Sequence, residues 1–218
     1  MKNKIIIFTN IKGGTGKTSL CAAAATFFVE QGIPVYVLDA DIQQSLSRHR
    51  QRDLEAHPSE EGPWPVDFLD TADIDEVKDV ISRAKRLPCC VMIDCPGNIQ
   101  DDSLQIIYDA ADVAVIPYEL NADSVDATVM FAKMFKTNFK AKMFFIPNKV
   151  STVFEWRGEV RKAREDAMEA LNHKLGTVTP DIPLTTDLNG YSTIEVYNRR
   201  KRFAIRNGLA PIFYHVRP

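Results

Sequence analysis

The stretch FTNIKGGTGKTS, residues 8–19, decides how the rest of the chain is read. It follows a short apolar run, Ile5-Ile6-Ile7-Phe8, and precedes an alanine-rich helical pattern over residues 20–28. Strand, glycine-rich loop and helix in that order are the setting in which a loop can cradle phosphate. Gly13, Gly14 and Gly16 let the backbone turn tightly and aim successive N–H groups at an anion lying against the helix N-terminus. Lys17 brings a point charge for terminal phosphates and the Thr18 hydroxyl is placed for Mg2+, while Thr15 and Ser19 complete the cradle. A glycine-rich turn without ligand is the plainer alternative, and the strand before it and the helix after it weigh against that.

In the standard pattern G-x-x-x-x-G-K-[ST] the first glycine would fall at Ile11, and a second lysine, Lys12, stands just before the glycine pair. One lysine already serves the bound phosphates, so the ammonium at the entrance has no evident use on the same nucleotide. Lys12-Gly13-Gly14-Thr15-Gly16-Lys17-Thr18 resembles the KGGxGK[ST] hallmark of the deviant Walker A ATPases, the ParA and MinD group. The resemblance implies a three-layer P-loop NTPase fold of class α/β, with a mostly parallel sheet and helices on both faces. It implies ATP and Mg2+ as cofactors and a homodimer that sandwiches the nucleotide. In that dimer Lys12 would reach across to the other subunit's ATP. The resemblance runs from residue 4 to about residue 187 and is most specific at the loop.

A chain of 218 residues fits one domain, residues 1–218, large enough to bury a sheet between two helical layers. Hydrophobic content of 45% and charged content of 26% place it among ordinary globular proteins rather than disordered or fibrous ones. The apolar N-terminal run is too short for a signal peptide, and no apolar run approaches the roughly 18 residues that span a bilayer. The expectation is a cytoplasmic protein with no membrane partner. Net charge is −2, so any affinity for nucleic acid must come from a local patch. Cys89 and Cys90 are adjacent and would point to opposite faces of a strand, and Cys21 and Cys95 stand apart. Reduced core thiols are expected, since the paired spacing of a zinc or cluster site is missing.

Apolar runs at residues 5–8, 35–38, 91–93, 113–116 and 143–146 alternate with helical patterns at 17–31, 74–86, 103–110, 124–135 and 154–173. Such alternation predicts βα units and a parallel sheet with its ligand at the strands' C-terminal ends. Asp73 and Asn121 are candidate caps, and residues 66–69 are a possible further strand. The Pro-, Gly- and Glu-rich segment before it, residues 55–65, reads as a surface loop anchored by Trp64. Only about three residues precede the first strand, so no N-terminal DNA-reading domain is expected, which corresponds to the small form in the resembling family.

Two acidic motifs follow strand patterns. Asp39-Ala40-Asp41 succeeds the second, where a carboxylate can orient water or hydrated Mg2+ beside the phosphates. The resemblance gives that work to Asp41, and the plainer reading of Asp39 is a helper that holds the loop through hydrogen bonds; Ile42 stands where the family often has proline. Asp94 ends the strand before Cys95-Pro96-Gly97 and is the Walker B candidate for Mg2+, with a turn that can respond to the γ-phosphate. Asn148-Lys149 hints at a guanine signature, but Ser151 stands where the required acid would be. In the resembling group an asparagine here contacts adenine, which nominates Asn148; capping the next helix is its other reading. The segment 180–184 resembles the second wall of the base pocket and nominates Pro183.

Two outputs are weighed. Arg199, Arg200, Lys201, Arg202 and Arg206 put five positive charges in eight residues, and on a helix Arg199, Arg202 and Arg206 share one face. Doubled in a dimer, they could make several DNA phosphate contacts; a solvated surface is the plainer reading. A second basic group, Arg157, Arg161, Lys162 and Arg164, is interleaved with Glu155, Glu159 and Glu165, which predicts intrahelical pairs. Membrane binding as in MinD needs a terminal amphipathic helix, and residues 211–218, bounded by prolines, are too short for one. Metabolic enzymes sharing the loop are a third class, disfavoured by the cysteine placement and the early lysine. The resemblance thus implies a partition ATPase that binds non-specific DNA and is stimulated by a small centromere-binding partner, moving a plasmid, a chromosome or a mobile element.

Overall fold

Among the described residues seven β-strands, five of them built from the short apolar runs, pair side by side in parallel to form a single sheet in the order β3-β2-β4-β1-β5-β6-β7. The computed structural model describes residues 3–97, 102–151, 158–184, 191–195 and 199–217. Along the chain these hold β1 (Lys4–Phe8), α1 (Lys17–Glu30), β2 (Val35–Asp39), α2 (Ser45–Ala56), β3 (Val66–Phe68), α3 (Ile74–Ala84) and β4 (Cys90–Asp94). There follow α4 (Asp102–Ala110), β5 (Val113–Tyr118), α5 (Ala122–Asn138), β6 (Lys142–Pro147), α6 (Gly158–Leu171), β7 (Thr177–Val178) and α7 (Arg199–Val216).

Successive side chains on a strand face opposite ways, and both faces of this sheet are covered, which is why its strands read as continuous apolar runs. Ile6 and Phe8 of β1 turn to a layer containing α1, α7, Leu46 and Trp64. Ile5 and Ile7 turn to the layer made by α3, α4, α5 and α6. All four are almost wholly buried, and each such side chain contributes roughly 1.5–3 kcal/mol of transfer free energy. The result is the three-layer α/β architecture expected. Alanines 22–25 keep α1 slim enough to lie against the sheet, and all four are buried.

Register then places the chemistry. Phe8 pairs with Asp94, and Asp94 with Asp39, so the loop after β1 and two carboxylates reach the same sheet edge. Both acids are the last residues of their strands. The expected caps hold: Asp73 accepts from the N–H groups of Asp75 and Glu76, and Asn121 from that of Ser124. Cys21, Cys90 and Cys95 are buried thiols whose pKa values burial pushes up, and Cys89 is half-buried.

Several elements depart from expectation. Helix α2 was not anticipated, because SLSRHRQRDLEA buries only Leu46 and Arg50 and so carries no apolar helical period. Helix α7 continues through Pro211, which gives up one backbone donor without ending it, so Pro211 does not open a separate short tail. Its Ile205, Leu209, Ile212 and Val216 form the buried stripe. Helix α5 extends beyond 124–135 at both ends, and the start of the expected 154–173 helix, with Arg157, lies outside the described residues. The two-residue β7 was too short to read. Arg164 reaches beyond its helix, its Nη1 and Nη2 donating to Asp181 at 2.9 and 2.7 Å. Arg161 does pair within it, with Glu165 at 2.9 Å.

Candidate functional site

Asn10 pins the entrance of the glycine loop. Fully buried, it donates to Pro117 O and Thr128 Oγ1, both at 2.9 Å, and accepts from the Lys12 N–H at 3.2 Å. Thr15 Oγ1 closes the turn onto Lys12 O at 3.4 Å. Gly14 and Gly16 have φ of +77° and +93°, the left-handed region that disfavours side chains. Gly16 is constrained twice over, since a Cβ there would stand 2.4 Å from Asn148 Nδ2. Gly16 precedes α1 with no side-chain cap, so the first N–H groups of α1 have no capping side chain competing with an anion.

Two residues after β6 brace this loop from behind. Asn148 Nδ2 donates to Thr15 O at 2.8 Å, and Lys149 Nζ to Gly14 O at 2.5 Å while pairing with Glu119 at 3.0 Å. Asn148 thus spends its amide N–H on the loop, and the start of the helix it could alternatively cap lies outside the described residues. The backbone beyond β7 is held by Leu184 N–H to Val150 O at 2.9 Å and by the Arg164–Asp181 pair, which fixes Pro183 opposite.

Three carboxylates stand at the sheet edge in different states. Asp39 Oδ2 accepts from the Ser47 N–H at 2.8 Å and Oδ1 from the Asp41 N–H at 3.4 Å, so it holds the loop and the start of α2, as expected. Burial raises its pKa, with those N–H groups opposing. Asp41 folds its own turn: Oδ1 accepts from Gln43 N–H at 2.9 Å and its carbonyl from Gln44 N–H at 2.7 Å. Within that turn the Ile42 side chain is 74% exposed. Asp94 is wholly buried, and among the described residues neither carboxylate oxygen has a hydrogen-bond partner of proper geometry. Burial pushes its carboxyl up to about 7, Asp39 and Asp41 add to this, and the nearby Thr18 hydroxyl and Lys17 ammonium oppose it. An orphaned buried carboxylate beside a hydroxyl is a donor set suited to a hard divalent cation, so these residues fit Mg2+.

A cavity of 470 Å³ opens on this edge, bringing together Lys17, Thr18, Asp41, Asn148 and Pro183. Lys12 is exposed rather than a lining residue, while Lys17 is half-buried. Sequence reasoning missed Ser45 and Tyr191, which also line the cavity. Ser45 begins the unanticipated α2, and nothing local marks Tyr191.

The basic residues of α7 lie away from this cavity and differ among themselves. Arg202 pairs with Glu30 of α1 at 3.0 Å, and Lys201, whose side chain is only 12% exposed, lies 3.9 Å from Glu195. Arg199, Arg200 and Arg206 are exposed and have no ion pair among the described residues, and Phe203 stands 73% exposed in their midst. Among the described residues no helix is long and apolar enough to cross a membrane.

Residues 6–188 match the family described as the CobQ/CobB/MinD/ParA nucleotide binding domain. No curated protein matches the sequence. Among solved structures the chain is similar to the MinC:MinD cell division protein complex of Aquifex aeolicus, with 19% identity, 99% of this chain and 98% of that chain covered, and a TM-score of 0.76. It is similar to a putative plasmid partition protein of Borrelia burgdorferi B31 bound to AMPPNP, with 16% identity, 99% and 100% covered, and a TM-score of 0.74. The ATP complex of a McdA variant from Cyanothece gives 16% identity, 98% and 92% covered, and a TM-score of 0.66. These likenesses show the same fold, and the match over most of its length shows that the chain belongs to the CobQ/CobB/MinD/ParA nucleotide-binding family, the family of the ParA and MinD ATPases.

Proposed function

We propose that this chain is a partition-type ATPase that binds MgATP in the cavity, pairs with a second copy of itself, and holds non-specific DNA while the triphosphate lasts. The observation that carries the reading is the difference between two loop lysines: Lys17 lines the cavity, and Lys12, whose N–H is fixed by Asn10, is exposed outside it. In this reading Lys17 and the loop residues Gly13 to Ser19 bind the phosphates, with Thr18, Asp94 and Asp41 around Mg2+ and Asn148 and Pro183 beside the base. Lys12 completes the partner subunit's site. Residues 1–218 act as one domain. The protein is cytoplasmic and associates with the nucleoid when ATP-bound, and a small centromere-binding protein speeds a slow hydrolysis.

Asp41 is assigned to the attacking water. Asp41→Ala is expected to keep ATP affinity while turnover falls about 100-fold or more, the usual worth of a positioned acid–base group. A phosphate-release assay with unchanged turnover would remove Asp41 from that role.

DNA is assigned to α7, where Arg199, Arg200 and Arg206 are exposed. Arg200→Glu with Arg206→Glu reverses two charges per subunit and is expected to weaken DNA binding about tenfold or more at low salt and flatten its salt dependence. The check is DNA affinity across a salt series at saturating non-hydrolysable ATP; an unchanged slope would make this helix a solvated surface.

A membrane-directed role like that of MinD is the second reading, favoured by the likeness to the Aquifex MinC:MinD complex. Against it, the apolar stripe of α7 is already buried in the core rather than open to lipid. Co-sedimentation with non-specific DNA and with anionic liposomes, each under ADP and ATP, separates the two. ATP-dependent pelleting with DNA supports partition, and pelleting with liposomes alone replaces it.

A further inference from the structure

Residues 191–195 are fastened to α2 by an arginine–aspartate pair that the nucleotide chemistry above does not use. Arg50 is buried, and its Nε donates to Thr193 Oγ1 and Nη2 to Thr193 O, both at 2.9 Å. Its Nη1 donates to Trp64 O at 2.7 Å, and the guanidinium lies 4.2 Å over the Trp64 ring. Trp64 is itself buried and donates to Thr26 Oγ1 of α1 at 3.0 Å. One helical turn on, Asp53 Oδ2 accepts from the N–H and the hydroxyl of Thr193, both at 2.7 Å. Gly62 leaves the room this needs, since a Cβ there would come within 2.1 Å of Arg50 Nη1.

Burying a guanidinium is costly, and here it is offset by two carbonyls, a hydroxyl and an aromatic face rather than by a direct carboxylate. A core in need of stability alone would be served as well by apolar side chains of similar volume. What the arginine adds is position, because its donors have fixed directions and join α2 to backbone more than a hundred residues away. The residue positioned is Tyr191. Its ring stacks on His49 of α2, with centroids 4.2 Å apart and planes at 20°, and it lines the 470 Å³ cavity together with Ser45 and Asp41. Burial raises the Tyr191 pKa, and the charges of Asp94 and Asp39 act in the same direction, so the hydroxyl stays neutral and able to donate.

We propose that Tyr191 is a nucleotide-contacting wall of the cavity and that Arg50, with Asp53, is a positioning residue that sets it, tying the helix behind the Asp41 loop to nucleotide affinity. The inference rests on the reading of the cavity as the nucleotide site.

The test is a double-mutant cycle on the full chain, with a fluorescent ATP analogue as probe and Tm measured in parallel. Tyr191→Ala and Arg50→Met are each expected to weaken binding about tenfold, the loss of one hydrogen bond to a charged group. The double variant is expected to be no weaker than either single one, since Arg50 acts through Tyr191. Arg50→Lys should recover little, because an ammonium lacks the planar fork. Should Arg50→Met fail to fold, Thr193→Val, which removes the hydroxyl shared by Arg50 and Asp53, is expected to fold with a Tm lowered by several degrees and to weaken binding several-fold. A lowered Tm with unchanged affinity, or single effects that simply add, would overturn the clasp and leave the nucleotide site standing. Absence of analogue binding by the unaltered chain would instead remove the nucleotide reading itself.

Discussion

Lys17→Ala is expected to abolish measurable ATP binding, and the surroundings of that ammonium say why. Lys17 lines the cavity with Asp41, at the sheet edge that also carries Asp39 and Asp94, and its charge counters that of Asp94. Its Nζ stands 3.7 Å from where a Cβ on Gly97 would be, between the glycine loop and the turn after β4. Two charge-assisted bonds to phosphate contribute about 1.5–3 kcal/mol each, so their loss alone weakens binding by roughly 100-fold or more. Removing the cation also leaves an acidic edge facing a polyanion, which adds repulsion in the same direction. Titration of a fluorescent ATP analogue gives the answer, and affinity within a few-fold of the original would contradict the loop assignment.

Lys12→Ala is expected to act quite differently. Lys12 is exposed, its backbone N–H is fixed by Asn10, and its side chain does not line the cavity of its own subunit. Truncation should therefore leave the affinity of a single subunit for nucleotide nearly unchanged. In the proposed dimer a two-fold axis makes every contact occur twice, so one substitution removes two charge-assisted contacts to triphosphate. At about 1.5–3 kcal/mol each, the dimer dissociation constant should rise on the order of 100-fold or more. Analogue titration on dilute protein, paired with sedimentation at rising protein concentration, separates the two effects. Equal weakening of both would put Lys12 on its own subunit's nucleotide.

Much of this was legible because the chemistry permits few alternatives. A phosphate cradle needs glycine where φ is positive and a cation at fixed spacing, and Gly14, Gly16 and Lys17 show that locally. Strands of a parallel sheet covered on both faces read as apolar runs, so β1, β2, β4, β5 and β6 were all visible, and with them the acids at their ends. What was hidden depends on contacts distant in sequence. Arg50 stands at a buried position of α2 where an apolar side chain would have shown the helical period. Arg164 reaches Asp181 beyond its own helix, and Arg202 reaches Glu30 of α1, contacts that charge spacing along one helix could not foresee. Pro211 reads as a helix stop in sequence and is carried inside α7, where the stripe from Ile205 to Val216 packs on the core. Tyr191 reaches the cavity through the Arg50–Thr193 clasp, which no local pattern reports.

The coupling of nucleotide to assembly is the claim on which DNA retention and partner stimulation both depend. Sedimentation equilibrium of the full chain with Mg2+ and a non-hydrolysable ATP analogue, set against the same chain with ADP, measures it directly. The expected mass is close to 24.6 kDa with ADP and close to twice that with the triphosphate analogue. A mass that stays at a single chain under saturating analogue would contradict the account.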